Sequence, residues 1–182
     1  MDPDASDETL MTAFAQGQPE AFELLYARHR AALFRFLARQ AGQYATAEEL
    51  FQDVWQRVIA ARARYRPDSR FATWLYSIAH NLLADHWRRQ RHRPGTPADA
   101  EQRLARCESD SSPERELSRF ERRRGLQLAL ESLPDEQREV VVLRLQQSLS
   151  LEEIAAITGV GRETVKSRLR YALDKLRQRL QP

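Results

Sequence analysis

Apolar residues along this chain recur at steps of three and four rather than two, so the pattern predicts helices almost throughout. A short first helix runs near Glu8–Gln16 and stops at Gly17. Pro19 suits the first turn of the next helix, whose stripe is Phe22, Leu25, Tyr26, Leu33, Phe36 and Leu37 and whose end is Gly42. Thr46-Ala47-Glu48-Glu49 reads as a capping box opening a third helix, with Leu50, Phe51, Val54, Trp55, Val58 and Ile59 inward. The stripe breaks over Ala63–Arg70, at Pro67-Asp68-Ser69. It resumes in a fourth helix that buries Phe71, Trp74, Leu75, Ile78, Leu82 and Leu83.

Residues 94–113 change character, with Pro94, Gly95, Pro97, Ser109, Ser111, Ser112 and Pro113, and read as a flexible linker. Its extended reach is on the order of 60 Å. A second helical block follows. Its first helix lies near Glu114–Ser132, with Leu117, Phe120, Leu128 and Leu130. The next opens at Leu133-Pro134-Asp135-Glu136 and runs to about Leu145. Ser150-Leu151-Glu152-Glu153 is a second capping box, starting a short helix with Ile154, Ala155 and Ile157 inward. Gly159-Val160-Gly161 makes a tight turn. A final helix from about Arg162 to Leu180 carries the stripe Val165, Leu169, Leu173, Leu176 and Leu180. The fold class is therefore all-α, two small helical domains joined by a linker. Ser150–Leu176 has the form of a helix-turn-helix: a short capped helix, small Ala155 at the crossing, Gly159 where the chain needs a left-handed residue, and a long second helix.

Charge sharpens this picture. The net charge of +3 is modest but unevenly spread. Residues 1–56 carry 4 Arg against 9 Asp and Glu, residues 57–93 carry 9 Arg against 2 Asp, and residues 162–182 carry 7 Arg and Lys against 2 acids. Two separated basic stretches in an otherwise acidic chain point to two contacts on one polyanion; two solvated helix faces are the plainer alternative. The outward face of the last helix begins Arg162, Glu163, Thr164, Lys166, Ser167, Arg168 and Arg170, donors at the end that enters a major groove. The third helix exposes Glu48, Glu49, Gln52, Asp53, Gln56 and Arg57, a face for a partner or for water.

Other function classes find little support. The longest apolar runs, such as Val140–Leu143, fall far short of the ~20 residues of a membrane span, and no apolar signal region follows the acidic N-terminus. With one cysteine, Cys107, no internal disulfide forms, so a cytoplasmic protein is expected. His29, His80, His86, His92 and Cys107 show no paired metal-ligand spacing, so neither metal nor cofactor is expected. No nucleophile–base pair, phosphate loop or carboxylate cluster marks an enzyme.

The order of motifs resembles the sigma factors of bacterial RNA polymerase, in particular the extracytoplasmic-function (ECF) group, over nearly the whole chain. The resemblance rests on Ala47–Trp55 (AEELFQDVW), on Phe71–Asn81 (FATWLYSIAHN), on Leu133–Val140 (LPDEQREV), and on Ser150–Leu176 with Thr164-Val165-Lys166-Ser167-Arg168-Leu169. Gly161 departs from it, standing where the family often has a Ser N-cap, a change worth only a few tenths of a kcal/mol. The resemblance implies no enzymatic activity of its own. It implies a region 2-like domain over residues 1–93, the linker 94–113, and a region 4-like domain over 114–182. It places Glu48, Glu49, Gln52, Asp53 and Gln56 against core RNA polymerase. It sets Arg64, Tyr65, Arg66, Arg70, Phe71, Asn81, Arg88 and Arg89 at the minus-10 element, with Tyr65 and Phe71 as stacking candidates and Arg91 and Arg93 as further backbone contacts. It lays Arg162, Glu163, Thr164, Lys166, Ser167, Arg168 and Arg170 on the minus-35 element of promoter DNA. It also implies an anti-sigma partner and no membrane insertion by this chain. A stand-alone DNA-binding regulator is the rival reading, but it leaves the first block without a role.

Overall fold

The structure, a computed structural model, describes residue 2, residues 4–91 and residues 124–180. The linker 94–113, Cys107, His92, Arg93, Leu117 and Phe120 lie outside the described residues. Among the described residues there is no strand and there are eight helices, α1 (Asp7–Ala15), α2 (Pro19–Ala41), α3 (Tyr44–Ala61), α4 (Phe71–Arg91), α5 (124–131), α6 (Asp135–Gln146), α7 (Leu151–Thr158) and α8 (Arg162–Leu180), with a 3-10 turn at Arg62–Arg64. No described helix is long and apolar enough to cross a membrane.

The local signals explain most of the boundaries. Ser6 caps α1 by accepting from the Thr9 N–H, and Pro19 starts α2. Gly42 ends α2 with φ of 74°, a left-handed conformation that costs a residue without Cβ little. Gly159 ends α7 in the same way with φ of 68°. The expected capping box at Thr46 is not there: α3 already starts at Tyr44, one residue after Gln43, whose side chain makes no cap. Gly42 turns the chain so abruptly that the helix begins before Thr46 is reached, leaving Thr46 inside the first turn. The box at Ser150 and Glu153 is complete, each side chain accepting from the other residue's backbone N–H.

The first block packs α1–α4 around Leu25, Leu33, Phe36, Leu37, Val54, Leu75 and Leu83, all fully buried. In the second block Ala129, Leu130, Leu133, Val141, Ala172 and Leu176 form a small core between α5, α6 and α8. Three positions expected inside are exposed: Ile59 and Leu180, each near a helix end, and Leu128, on the opposite side of α5 from buried Leu130.

The two blocks do not stand apart. Six consecutive residues of α6, Arg138–Leu143, are buried. At 3.6 residues per turn such a run covers the whole circumference, so α6 is enclosed on every side. One side rests on α8; the other rests on α2, while α7 packs on α4. Val140, Leu143, Leu149, Ile154, Ile157 and Val165 consequently belong to the same continuous apolar core as Phe36, Leu75 and Leu83.

Candidate nucleic-acid and polymerase interfaces

The expected docking face of α3 forms as a single surface. Glu48, Glu49, Gln52, Asp53 and Gln56 are all exposed, while Ala47, Leu50, Val54, Trp55 and Val58 point into the core. The 3.6-residue period alone separates these two sets. Trp55 is held by Phe22 and Tyr26, with ring centroids 5.6 and 5.0 Å away, so the helix presenting the acidic face is anchored by aromatic contacts.

The loop after α3 displays Arg64, Arg66 and Arg70, all exposed. Further along, Asn81, Arg88 and Arg89 share the exposed side of α4, and Arg88 pairs with Asp85 at 3.3 Å. Two expected stacking residues are corrected. Phe71 is 0% exposed, wedged beneath α1 with the His29 ring 5.1 Å from its centroid, and offers no face to a base. Tyr65 turns inward onto Phe71 and Trp74, with centroids at 6.3 and 5.1 Å, and its hydroxyl is buried without a partner. Burial, followed by the charges of Glu8 and Asp7, pushes its phenol up to about 12. An apolar aromatic face beside an apolar wall is removed from water more readily than it is displayed, and here Phe71 and Trp74 supply that wall for Tyr65.

Along α8, Arg162, Glu163, Thr164, Lys166, Ser167 and Arg170 are exposed, opposite buried Val165, Ala172 and Leu176. Two of these cations are already paired with acids, and Arg170 lies over the Tyr171 ring, 5.0 Å from its centroid. Arg162 bonds Glu152 and Glu163, and Lys166 lies 3.6 Å from Glu163. The Arg162 contact holds the Glu152 carboxyl below its ordinary value, and Glu152 in turn raises Arg162. Exposed pairs of this kind are weakened by solvent screening, so phosphate exchanges for them readily. Arg168 is the exception. It is half-buried and turned to Glu136 on α6, 3.2 Å away, because it follows Val165 by three and so shares the inward stripe.

Sequence reasoning missed the polar residues that tie the two blocks together. Thr73, 6% exposed on α4, donates its hydroxyl to Glu153 Oε1 at 3.0 Å, and Arg70 reaches the same oxygen at 3.5 Å. Glu153 is therefore both the capping residue of α7 and the anchor for the start of α4. Burial pushes its carboxyl up, but bonds from Ser150 and Thr73 and the charge of Arg70 outweigh that and leave it below its ordinary value. Elsewhere His80 meets Glu139 at 2.8 Å, Arg138 donates to Gln40 at 3.2 Å, and Arg39 bonds Gln146. The one available signal was Arg138-Glu139 directly before the apolar run Val140–Leu143, two charges that a buried helix tolerates only with partners.

Among the described residues no group of three or more His, Cys, Asp and Glu lies together as a metal site.

Comparison with known proteins agrees with this division. A model of Sigma-70 region 2 matches residues 25–93 and one of Sigma-70 region 4 matches residues 129–178. The chain is 37% identical to RNA polymerase sigma factor CarQ of Myxococcus xanthus, over 93% of this chain and 95% of CarQ. It is 29% identical to the ECF RNA polymerase sigma-E factor of Escherichia coli, over 100% of this chain and 98% of that protein. The structure of CnrH in complex with the cytosolic domain of CnrY matches with a TM-score of 0.69 at 25% identity, covering 96% of each chain.

Proposed function

This chain belongs to the sigma factors of RNA polymerase, in the extracytoplasmic-function group, and from that premise we propose which of its surfaces does what. As a sigma factor it binds core polymerase and directs promoter-specific initiation. In the assignment proposed here, residues 1–93 dock on polymerase and meet the minus-10 element, residues 114–182 meet the minus-35 element, and residues 94–113 join them. The docking surface is Glu48, Glu49, Gln52, Asp53 and Gln56, whose acidity suits a basic partner and makes association salt-sensitive. Arg64, Arg66, Arg70, Asn81, Arg88 and Arg89 face the minus-10 segment; the arginines hold backbone phosphate and Asn81 reads a base edge. Arg162, Glu163, Lys166 and Arg170 approach base edges or nearby phosphates of the minus-35 element, with Thr164 and Ser167 positioning. The chain carries out no reaction itself and works in the cytoplasm, where the polymerase is.

The observation that carries this reading is the first two turns of α8, where every side chain except Val165, Arg168 and Leu169 is exposed directly after a capped helix and a left-handed glycine. That is the arrangement that lays a helix N-terminus into a major groove.

The closed packing adds a constraint. Glu153 and a phosphate compete for Arg70, and α7 covers Thr73. Minus-10 engagement through Arg70 therefore weakens the α4–α7 contact, and the two domains separate more readily when polymerase and promoter are bound. An anti-sigma partner fits this reading as a protein that keeps the docking surfaces from polymerase. Footprinting with core polymerase on promoter DNA tests the assignment: protection at both elements is expected with polymerase, and little with the isolated chain. Tight, sequence-specific protection by the isolated chain would instead support a stand-alone regulator.

A further inference from the structure

Helix α1 lies before residue 25, where the match to the region 2 model begins. It nevertheless touches both ends of the loop that the reading above assigns to the minus-10 segment. At the exit, Glu8 Oε1 accepts the backbone N–H of Phe71, the first residue of α4, at 2.7 Å. The preceding residue, Arg70, has no side-chain acceptor with which to cap that helix itself. Glu8 thus supplies from 63 positions away the cap that the local sequence lacks, and its charge suits the positive end of α4. At the entry, the Arg62 guanidinium lies over the Phe14 ring, 5.7 Å from its centroid. Glu8 and Phe14 are six residues apart on one helix, about 9 Å along its axis, so a rigid element sets the separation of the loop's two ends.

The helix itself is firmly seated. Asp7 accepts from Arg28 with one carboxylate oxygen and contacts His29 with the other, each at 2.6 Å, and Arg28 also bonds the Ala5 carbonyl at 2.8 Å. Leu10 and Met11 are fully buried. Between these two ends the loop is held by the 3-10 turn at Arg62–Arg64 and by Tyr65 on Phe71 and Trp74; fixing the ends as well lowers the ordering cost of presenting Arg64 and Arg66 to phosphate.

We propose that α1 is a brace for the loop assigned to the minus-10 element, with Glu8 and Phe14 as its positioning residues. The proposal rests on the assignment of that loop to the minus-10 element, and the test separates the two. Full-length Glu8→Ala, Glu8→Gln and Phe14→Leu proteins are each combined with core polymerase. Polymerase affinity and permanganate reactivity of minus-10 thymines are measured on duplex promoter DNA, beside a protein carrying Arg64→Ala and Arg66→Ala. Glu8→Ala is expected to lower thymine reactivity about fivefold, the size of one lost helix cap, with polymerase affinity unchanged. Glu8→Gln keeps an acceptor oxygen and restores most of it; Phe14→Leu keeps an apolar side chain, gives up the ring beneath Arg62 and against Phe22, and loses about twofold. Normal melting by Glu8→Ala overturns the brace, as does a parallel loss of polymerase affinity, which would make Glu8 a general support of the fold. A Glu8→Gln protein as defective as Glu8→Ala also overturns it. If the double arginine variant melts the promoter normally, the loop assignment falls instead.

Discussion

His80 Nδ1 and Glu139 Oε1 lie 2.8 Å apart, joining α4 of the first domain to α6 of the second. Glu139 is almost wholly buried, and the bond to it holds His80 above its ordinary value of 6.5 against the opposing effects of burial and of Arg168 on α8. A histidine raised in the closed state stabilises that state fully below about pH 6.5, and the contribution is lost as pH rises through its closed-state value. The domains should therefore separate more readily at pH 8 than at pH 6. Fluorescence transfer between labels on α3 and α8 measures this, and His80→Gln should flatten the pH dependence.

The Thr73–Glu153 bond predicts a second shift in the same equilibrium. Thr73→Val keeps the shape of the side chain and leaves the Ser150–Glu153 capping box intact. Loss of one such hydrogen bond is worth ~1 kcal/mol, about fivefold in favour of the open form. The same labelled protein reports it, while the unfolding midpoint of α7 should hardly move.

On α8 the exposed and inward cations should behave differently. Arg162→Ala and Lys166→Ala should each weaken initiation at minus-35-dependent promoters by ~1–3 kcal/mol if they touch bases, or reduce the salt slope by about one if they touch phosphate. Polymerase affinity should not change. Arg168→Ala removes the Glu136 pair and should alter stability by ~1 kcal/mol or less, with little effect on promoter affinity. Quantitative footprinting over a salt series separates these outcomes.

Asp53→Arg should do the reverse of the α8 variants. It reverses charge at the centre of the exposed α3 face without touching the core behind it. Core polymerase affinity should fall by tenfold or more at low salt, and the difference should shrink as salt is raised. Binding to immobilised core polymerase checks this.

Helix periods, glycine stops, the Ser150 box and the division into two blocks were all legible in the sequence, because each depends on neighbours within a few positions. The exposed acidic face of α3 and the outward side of α8 followed from the same periodicity. What was not legible depends on distant partners. Tyr65 lies in a loop with no helical stripe to place it, and only its contacts with Phe71 and Trp74 decide that it turns inward; the burial of Phe71 already followed from the stripe of α4. Arg168 reads as one more cation until Glu136 is placed beside it. The shared core of the two blocks was hidden for a related reason: an apolar run such as Val140–Leu143 says that a helix is covered, but not by which domain.

The most direct test of the whole account is run-off transcription by sigma-free core polymerase with the purified chain added, using template upstream of transcripts that rise when the chain is overproduced. The account predicts a discrete start site that disappears with Asp53→Arg and weakens with Arg162→Ala. Failure of the chain to bind core polymerase at low salt, in the absence of any inhibitor, would contradict it.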